Sequence, residues 1–170
     1  MISNRERGKK VLYIGSDHAG FDLKEMLKTW FSASCKRVVV KDMGNLTRDS
    51  NDDYPDFAAK VGRAVMRDQR SSSMGLLLCG SAEGMCMAAN KIKGVRAVNS
   101  HSIIQTKLAR EHEDANILCL AGGKSLKPQP AVSFSLACKM VMVFLDTPFS
   151  FEKRHMRRIA KISRLEKGGT

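Results

Sequence analysis

The residues best suited to chemistry sit in a few short stretches of this 170-residue chain. In "LLLCGSAEG" a leucine run meets Cys79, and Gly80, Ser81, Ala82, Glu83 and Gly84 follow before a helical pattern begins. A thiol beside a small-residue turn that opens a helix places a base or nucleophile next to backbone N–H groups able to hold an oxyanion. Those donors also lower a neighbouring thiol's pKa from about 8.5. The combination suits proton abstraction with stabilisation of the resulting enolate. The competing reading is an inert buried thiol, and Cys86, further into the helix, fits that better.

Asp17 and His18 follow another short apolar run. They read either as a hydrogen-bonding pair facing a ligand or as a helix N-cap with a surface histidine. His112 lies in "AREHEDAN", where a lone histidine, like Arg110, reads as a helix-end cap. Arg154 and Arg158 stand one helical turn apart with His155 between them. Two guanidiniums so spaced can fork a phosphate, or simply line a basic surface helix.

Bringing these residues together requires particular elements. "KVLYIG", "KRVVVKDMG", "LLLC", Val95 to Val98 and "NILCLAGG" read as strands. Helical spacing appears in "SDHAGFDLKEMLKTWF", in "DFAAKVGRAVMRD" after Pro55, in "GMCMAANKI" and in "HSIIQTKLAREH". It appears again over residues 131–145, after "KPQP", and in a basic segment from Phe151. "NLTRDSNDDYP" reads as a polar loop and "SSSMG" as punctuation. This alternation predicts an α/β fold: a three-layer α/β/α Rossmann-like sandwich with a five-stranded parallel sheet and a C-terminal basic helix. Residues 1–10 are expected to be a loose N-terminus, 11–166 a single domain and 167–170 a tail. Ligands bind outside the carboxyl ends of such strands. "GSDHAG", "CGSAEG" and "AGG" end the first, third and fifth strands, so all three fall on one edge of the sheet.

Composition narrows the function classes. The net charge of +12 fits nucleic acid, an anionic membrane surface or a phosphorylated substrate. Seven Lys or Arg against two acids fall between Ser150 and Thr170, a pattern that a solvated helix face also explains. Aromatics at 6% leave few stacking platforms, so nucleic acid is not the expected partner. No apolar run approaches the roughly 20 residues that span a bilayer. The N-terminus lacks a signal-peptide pattern, so no membrane partner and a cytoplasmic location are expected. Five cysteines, Cys35, Cys79, Cys86, Cys119 and Cys138, have irregular spacing and neither C-x-x-C nor zinc-type clustering. They are expected to be free thiols, with no metal bound. "AGGKS" is not a P-loop, because the first glycine of that motif would fall at Leu118, and no G-x-G-x-x-G occurs.

On the blocks "GSDHAGFDLK", "DYPDFA", "LLLCGSAEGMCMAANKIKGVRAV", "LAREHEDAN" and "TPFSFEKRHMRRI", the sequence resembles the B-type ribose-5-phosphate isomerases. These share a family with galactose-6-phosphate isomerase subunits, and the resemblance runs from about Val11 to Glu166. It implies a cofactor-free aldose–ketose isomerase that interconverts ribose 5-phosphate and ribulose 5-phosphate through an enediolate. By matching position, Cys79 would be the base, with Ser81 beside it and the Gly80–Gly84 backbone on the enediolate oxygens. His112 would assist ring opening, with Asp17 as a hydrogen-bonding partner and Tyr54 lining the sugar. His18, Arg154 and Arg158 would hold the phosphate, with His155 nearby. The resemblance also implies a homodimer, possibly a tetramer, with sites built from two subunits.

Four positions depart from the family pattern. Ala82 and Glu83 stand in a loop that is usually glycine-rich, Glu113 replaces an asparagine, and Gly123 stands where an arginine is expected. Ala82 would cost on the order of 1 kcal/mol if its position needs a positive φ. Glu83 would oppose charge build-up if it faced the enediolate, and Glu113 cannot donate as an amide does. The rival readings are an isomerase of a six-carbon aldose 6-phosphate, and a non-catalytic sugar-phosphate or anion-binding protein on the same fold.

Overall fold

The structure is a computed structural model describing residues 9–68, 73–123, 131–166 and 168. Its strands are β1 (Lys10–Ser16), β2 (Val38–Asp42), β3 (Ser73–Cys79), β4 (Ala97–Asn99) and β5 (Ile117–Ala121). Its helices are α1 (Phe21–Ser34), α2 (Tyr54–Arg67), α3 (Glu83–Ala89), α4 (Ile103–Glu113), α5 (Phe134–Asp146) and α6 (Lys153–Leu165). The α/β alternation matches the sequence expectation. The boundaries differ where local pattern is ambiguous. Ser73 to Gly75, expected as punctuation, extend β3 because they pair with β1. Lys10, placed both in the loose N-terminus and at the start of the "KVLYIG" strand, belongs to β1 and pairs with Val38. The first helix starts at Phe21 rather than at the strand end. "KPQP" and most of the expected N-terminal segment and tail lie outside the described residues.

The strands are all parallel and ordered β2-β1-β3-β5-β4. Their side chains alternate, as the two-residue strand period demands. Leu12, Ile14, Leu76, Leu78, Leu118 and Leu120 face one core, which α1 closes with Leu27 and Phe31 and α5 with Val141 and Phe144. Val11, Tyr13, Leu77, Cys79, Ile117 and Cys119 face the other, which α2 closes with Ala58 and Val61 and α3 with Met85 and Ala89. The three layers follow from this two-sided burial.

The chain steps outward from β1 to β2 and then crosses back to β3 on the other side of β1. Such a reversal leaves a crevice between the carboxyl ends of the two central strands. Asp17 follows β1 directly, and Cys79 ends β3.

Candidate active site

A cleft of about 490 Å³ opens at that switch point. Asp17, His18, Tyr54, Cys79, Gly80, Ser81 and Gly84 line it, so seven residues singled out from the sequence meet in one place. Gly122 and Gly123, at the end of β5, form part of its wall.

Cys79 is nearly enclosed, at 5% exposure, yet it borders the cleft. The Ala82 N–H donates to its Sγ over 3.2 Å, because the turn after β3 doubles back on the strand end. Burial pushes the thiol's pKa up, and N–H donation from Met85, Ala82 and Ser81 does not cancel it against the nearby Asp17 charge. The lowered pKa expected from the helix start is therefore corrected: desolvation outweighs the local donors.

Ala82 takes a left-handed conformation, φ 70° and ψ −16°, and its methyl is fully buried against the α2–α3 core. The turn does need a positive φ, and here an alanine adopts it. Glu83 turns away from the cleft and accepts from Asn99 Nδ2 at 2.8 Å. The opposing charge expected near a developing enediolate is therefore directed elsewhere. Gly123 has a steric cause: a Cβ there would come within 2.7 Å of Gly80 Cα. Any side chain at 123, arginine included, would push the β3 and β5 end loops apart.

Asp17 is 6% exposed, and its Oδ1 accepts the Ala19 and Gly20 N–H groups at 3.0 and 2.9 Å. It thus organises the turn that leads into α1 while still bordering the cleft; the N-cap itself falls at Gly20, without a side-chain cap, rather than at Asp17 as the capping reading placed it. Burial raises its pKa, helped by the Asp52 carboxylate, and the Gly20 donation and His18 only partly offset this. His18 Nδ1 lies 2.6 Å from Asp52 Oδ1. That hydrogen bond, aided by Asp17, raises the imidazole's pKa against a desolvation penalty and repulsion from Arg48. Tyr54 begins α2, with Pro55 pre-set for a first-turn position. Its ring packs so close to Gly84 that a Cβ at 84 would meet it at 2.7 Å.

Two contributors escaped the sequence reading. Arg48 and Asp52 both belong to the loop taken only as polar. Arg48 lines the cleft, bound to Asp22 at 2.5 Å. Asp52 is 6% exposed at its side chain and stands behind His18. The available signal was the placement of one basic residue and two acids, Asp49 and Asp52, shortly before "DYP", but charge in a loop is ordinarily just solvated.

The remaining candidates lie elsewhere within one chain. His112 borders a second groove of about 520 Å³, with Ile104, Leu108 and Glu113. Its ring stacks on His155 with centroids 4.3 Å apart. His155 is 1% exposed and shares a 2.6 Å hydrogen bond with Ser150 Oγ. It therefore braces His112 and exposes little surface of its own within one chain. Arg154 donates to His155 Nε2 at 3.2 Å and pairs with Glu152 at 2.8 Å. Arg158, one turn on, is exposed. None of these four lines the Cys79 cleft. Arg110 fills the capping role read for it, donating to the Ala115 carbonyl and to Asp114.

No group of His, Cys, Asp and Glu among the described residues could hold a metal ion, and no described helix is long and apolar enough to cross a membrane.

A protein-family model described as Ribose/Galactose Isomerase matches residues 12–162. The chain is 41% identical to the probable ribose-5-phosphate isomerase B of Mycoplasma genitalium over 156 residues, 92% of this chain and 95% of that relative. The crystal structure of the M. genitalium enzyme with bound ribulose-5-phosphate superposes with a TM-score of 0.81 at 41% identity, covering 92% of this chain and 96% of that one. Type B ribose 5-phosphate isomerase from Trypanosoma cruzi gives a TM-score of 0.82 at 36% identity, covering 94% and 98%. With matched sequence, a matched sheet and the Cys79 loop at its switch point, the chain belongs to the ribose/galactose isomerase family.

Proposed function

We propose that the protein interconverts ribose 5-phosphate and ribulose 5-phosphate, and that two copies together build each complete site. The observation that carries this reading is the Cys79 thiol at the edge of a polar cleft, under a turn whose N–H groups face the same point.

The reaction moves one hydrogen from C2 to C1 and one hydroxyl proton from O2 to O1. As thiolate, Cys79 takes the C2 proton. The C–H electron pair becomes the C1–C2 double bond, and the aldehyde oxygen becomes an enediolate oxygen. The thiol then returns the proton to C1. A sugar C–H is a weak acid, so the barrier depends on donors already aimed at the forming oxyanion. The backbone from Gly80 to Gly84 can supply them, with Ser81 and Asp17 beside the sugar hydroxyls and Tyr54 along the chain. The raised thiol pKa makes Cys79 a stronger base once ionised, at the cost of a smaller ionised fraction near neutral pH.

One chain supplies His18 and Arg48 as cations lining the cleft, the latter already paired with Asp22. The basic pair Arg154 and Arg158 and the ring-opening candidate His112 lie outside it. Beside His112, α4 exposes Ile104 at 73% and Leu108 at 42%. Apolar side chains so placed suit burial by a second copy. In that assembly His112, Arg154 and Arg158 of the partner subunit close each cleft, and the cations take the phosphate. All five cysteines are free, which fits the reducing cytoplasm.

The test is ketose formation from ribose 5-phosphate by the purified protein, with hexose 6-phosphates run alongside. Turnover of the pentose is expected, with Cys79→Ala slowing it by roughly 10²–10⁴-fold. A preference for a hexose 6-phosphate would move the assignment to a six-carbon substrate. Turnover of neither sugar would sink the isomerase reading.

A further inference from the structure

His18 does not stand alone at the mouth of the cleft. Its Nδ1 meets Asp52 Oδ1 at 2.6 Å, at the short edge of the roughly 2.7–2.9 Å of charge-assisted N–H···O hydrogen bonds. The other carboxylate oxygen accepts from Asn45 Nδ2 at 2.8 Å. Asn45 is held in turn, because its carbonyl accepts from Lys24 Nζ at 2.5 Å. Lys24 has no solvent exposure at all and is anchored on Asp42 at 2.8 Å. A partly buried chain of contacts thus runs from α1 through the loop after β2 to the imidazole. With both oxygens engaged and its side chain 6% exposed, Asp52 is poorly placed to touch a substrate itself.

We propose that Asp52 is a positioning residue for substrate phosphate, acting through His18 by fixing the ring's orientation and holding it as an Nδ1–H donor in the charged form. The inference rests on the sugar-phosphate reading of the cleft. With Nδ1 committed to Asp52, Nε2 is the ring's remaining polar atom, and it has no hydrogen-bond partner among the described residues. In the imidazolium both nitrogens donate, so Nε2–H can serve a phosphate oxygen. A neutral ring with its proton on Nδ1 would offer a lone pair instead and repel that oxygen.

The other groups around the ring leave Asp52 as its direct partner. Asp17 adds negative charge from the end of β1, and Arg48 adds positive charge from the same loop as Asp52. Asp22, Tyr54 and Cys79 are the further titratable groups lining the cleft. Hydrogen bonding to Asp52 is the largest influence on His18 and favours protonation. An unassisted histidine, with a pKa of about 6.5, would be protonated to only roughly one part in eleven at pH 7.5. Asp52 would therefore extend phosphate recognition to higher pH.

The test follows the ring nitrogens of the four histidines by ¹⁵N NMR across pH, with His18→Gln assigning the His18 signals. In the wild-type protein His18 is expected to stay protonated above about pH 6.5, with a persistent Nδ1 proton. In Asp52→Asn its titration should fall toward that ordinary value. The KM for ribose 5-phosphate should then rise near pH 7.5, by at most about tenfold, yet converge on the wild-type value near pH 6, with the loss in KM rather than kcat. Wild-type His18 titrating at or below 6.5 overturns the proposal, whether or not Asp52→Asn folds. So does a KM increase of equal size at every pH, which would mark a merely structural role. Should the wild-type protein not turn over ribose 5-phosphate, the isomerase reading fails separately. The His18 titration, repeated with inorganic phosphate, then decides the Asp52 assignment, and phosphate binding that weakens only above pH 7 in Asp52→Asn supports it.

Discussion

The Ala82 amide donates to the Cys79 sulfur across 3.2 Å, so the residue expected to strain the loop is also the one that orients the thiol. The left-handed φ of 70° at Ala82 bends the chain after β3 back over its own last residue. Donors collect around the sulfur because the turn is that tight. Burial still dominates the thiol's ionisation, since the same tightness excludes water.

Cys79 should accordingly ionise above the ordinary thiol value of about 8.5. The check is a pH titration of thiolate ultraviolet absorbance, taken as the difference between the wild-type protein and Cys79→Ser. A midpoint at or below neutrality would mean that the turn donors outweigh desolvation.

Ala82→Gly should be close to neutral for stability. Relieving the positive φ returns on the order of 1 kcal/mol. Removing a fully buried methyl costs roughly 0.8 kcal/mol, and glycine's extra unfolded-state freedom adds a further cost. Urea unfolding should place the variant within about 1 kcal/mol of the parent. A loss above about 2 kcal/mol would show that the methyl packs better than its area implies.

Asp42 should make stability sensitive to acid. Burial pushes its carboxyl up, but the Lys24 and Lys28 ammonium groups and the Gly44 N–H outweigh that and hold it below the ordinary value. A folded-state pKa lowered in this way stabilises the protein above the unfolded value of about 3.9, and the gain disappears as pH falls through the folded value. Lys24→Met leaves Asp42 with Lys28, at 2.5 Å, as its remaining cationic partner and should cost about 3 kcal/mol near neutral pH. Unfolding free energies measured from about pH 7 to pH 3 should show that cost shrinking with acid. A penalty independent of pH would assign it to packing instead.

Mixing inactive variants can test the shared site. If Cys79 and His112 act from different subunits, Cys79→Ala and His112→Ala homodimers should both be impaired. Unfolded together and refolded, half the dimers would be mixed, each with one intact site, so activity should recover to about one quarter of wild type. No recovery, with mixed dimers shown to form, would place both residues in one subunit's site.

Much of the Cys79 half of the site is legible in the sequence, because its residues directly follow strand ends. Asp17, His18, Cys79, Gly80 and Ser81 are placed by where short apolar runs stop, and strand ends in a parallel sheet share one edge. The alternation of strands and helices follows from equally local signals, period and proline punctuation, whereas Tyr54 entered the site only through the family resemblance. Local signals also set the identity of the donors around Cys79, but not the balance between donation and burial. That balance depends on how completely α2 and α3 cover the sulfur.

What only the tertiary structure decided involves residues far apart in the chain. Placing β5 between β3 and β4 brings Gly123 against Gly80, and nothing in either segment alone announces that contact. Asp52 reaches His18 across 34 positions, and Glu83 finds Asn99 across 16. Whether His155 meets a substrate or braces His112 likewise turns on how α6 lies against α4. Periodicity and turn chemistry act over a few residues, whereas pairings like these arise from the packing of whole elements. The amino-acid order therefore named the chemical groups, and the fold determined which of them face one another.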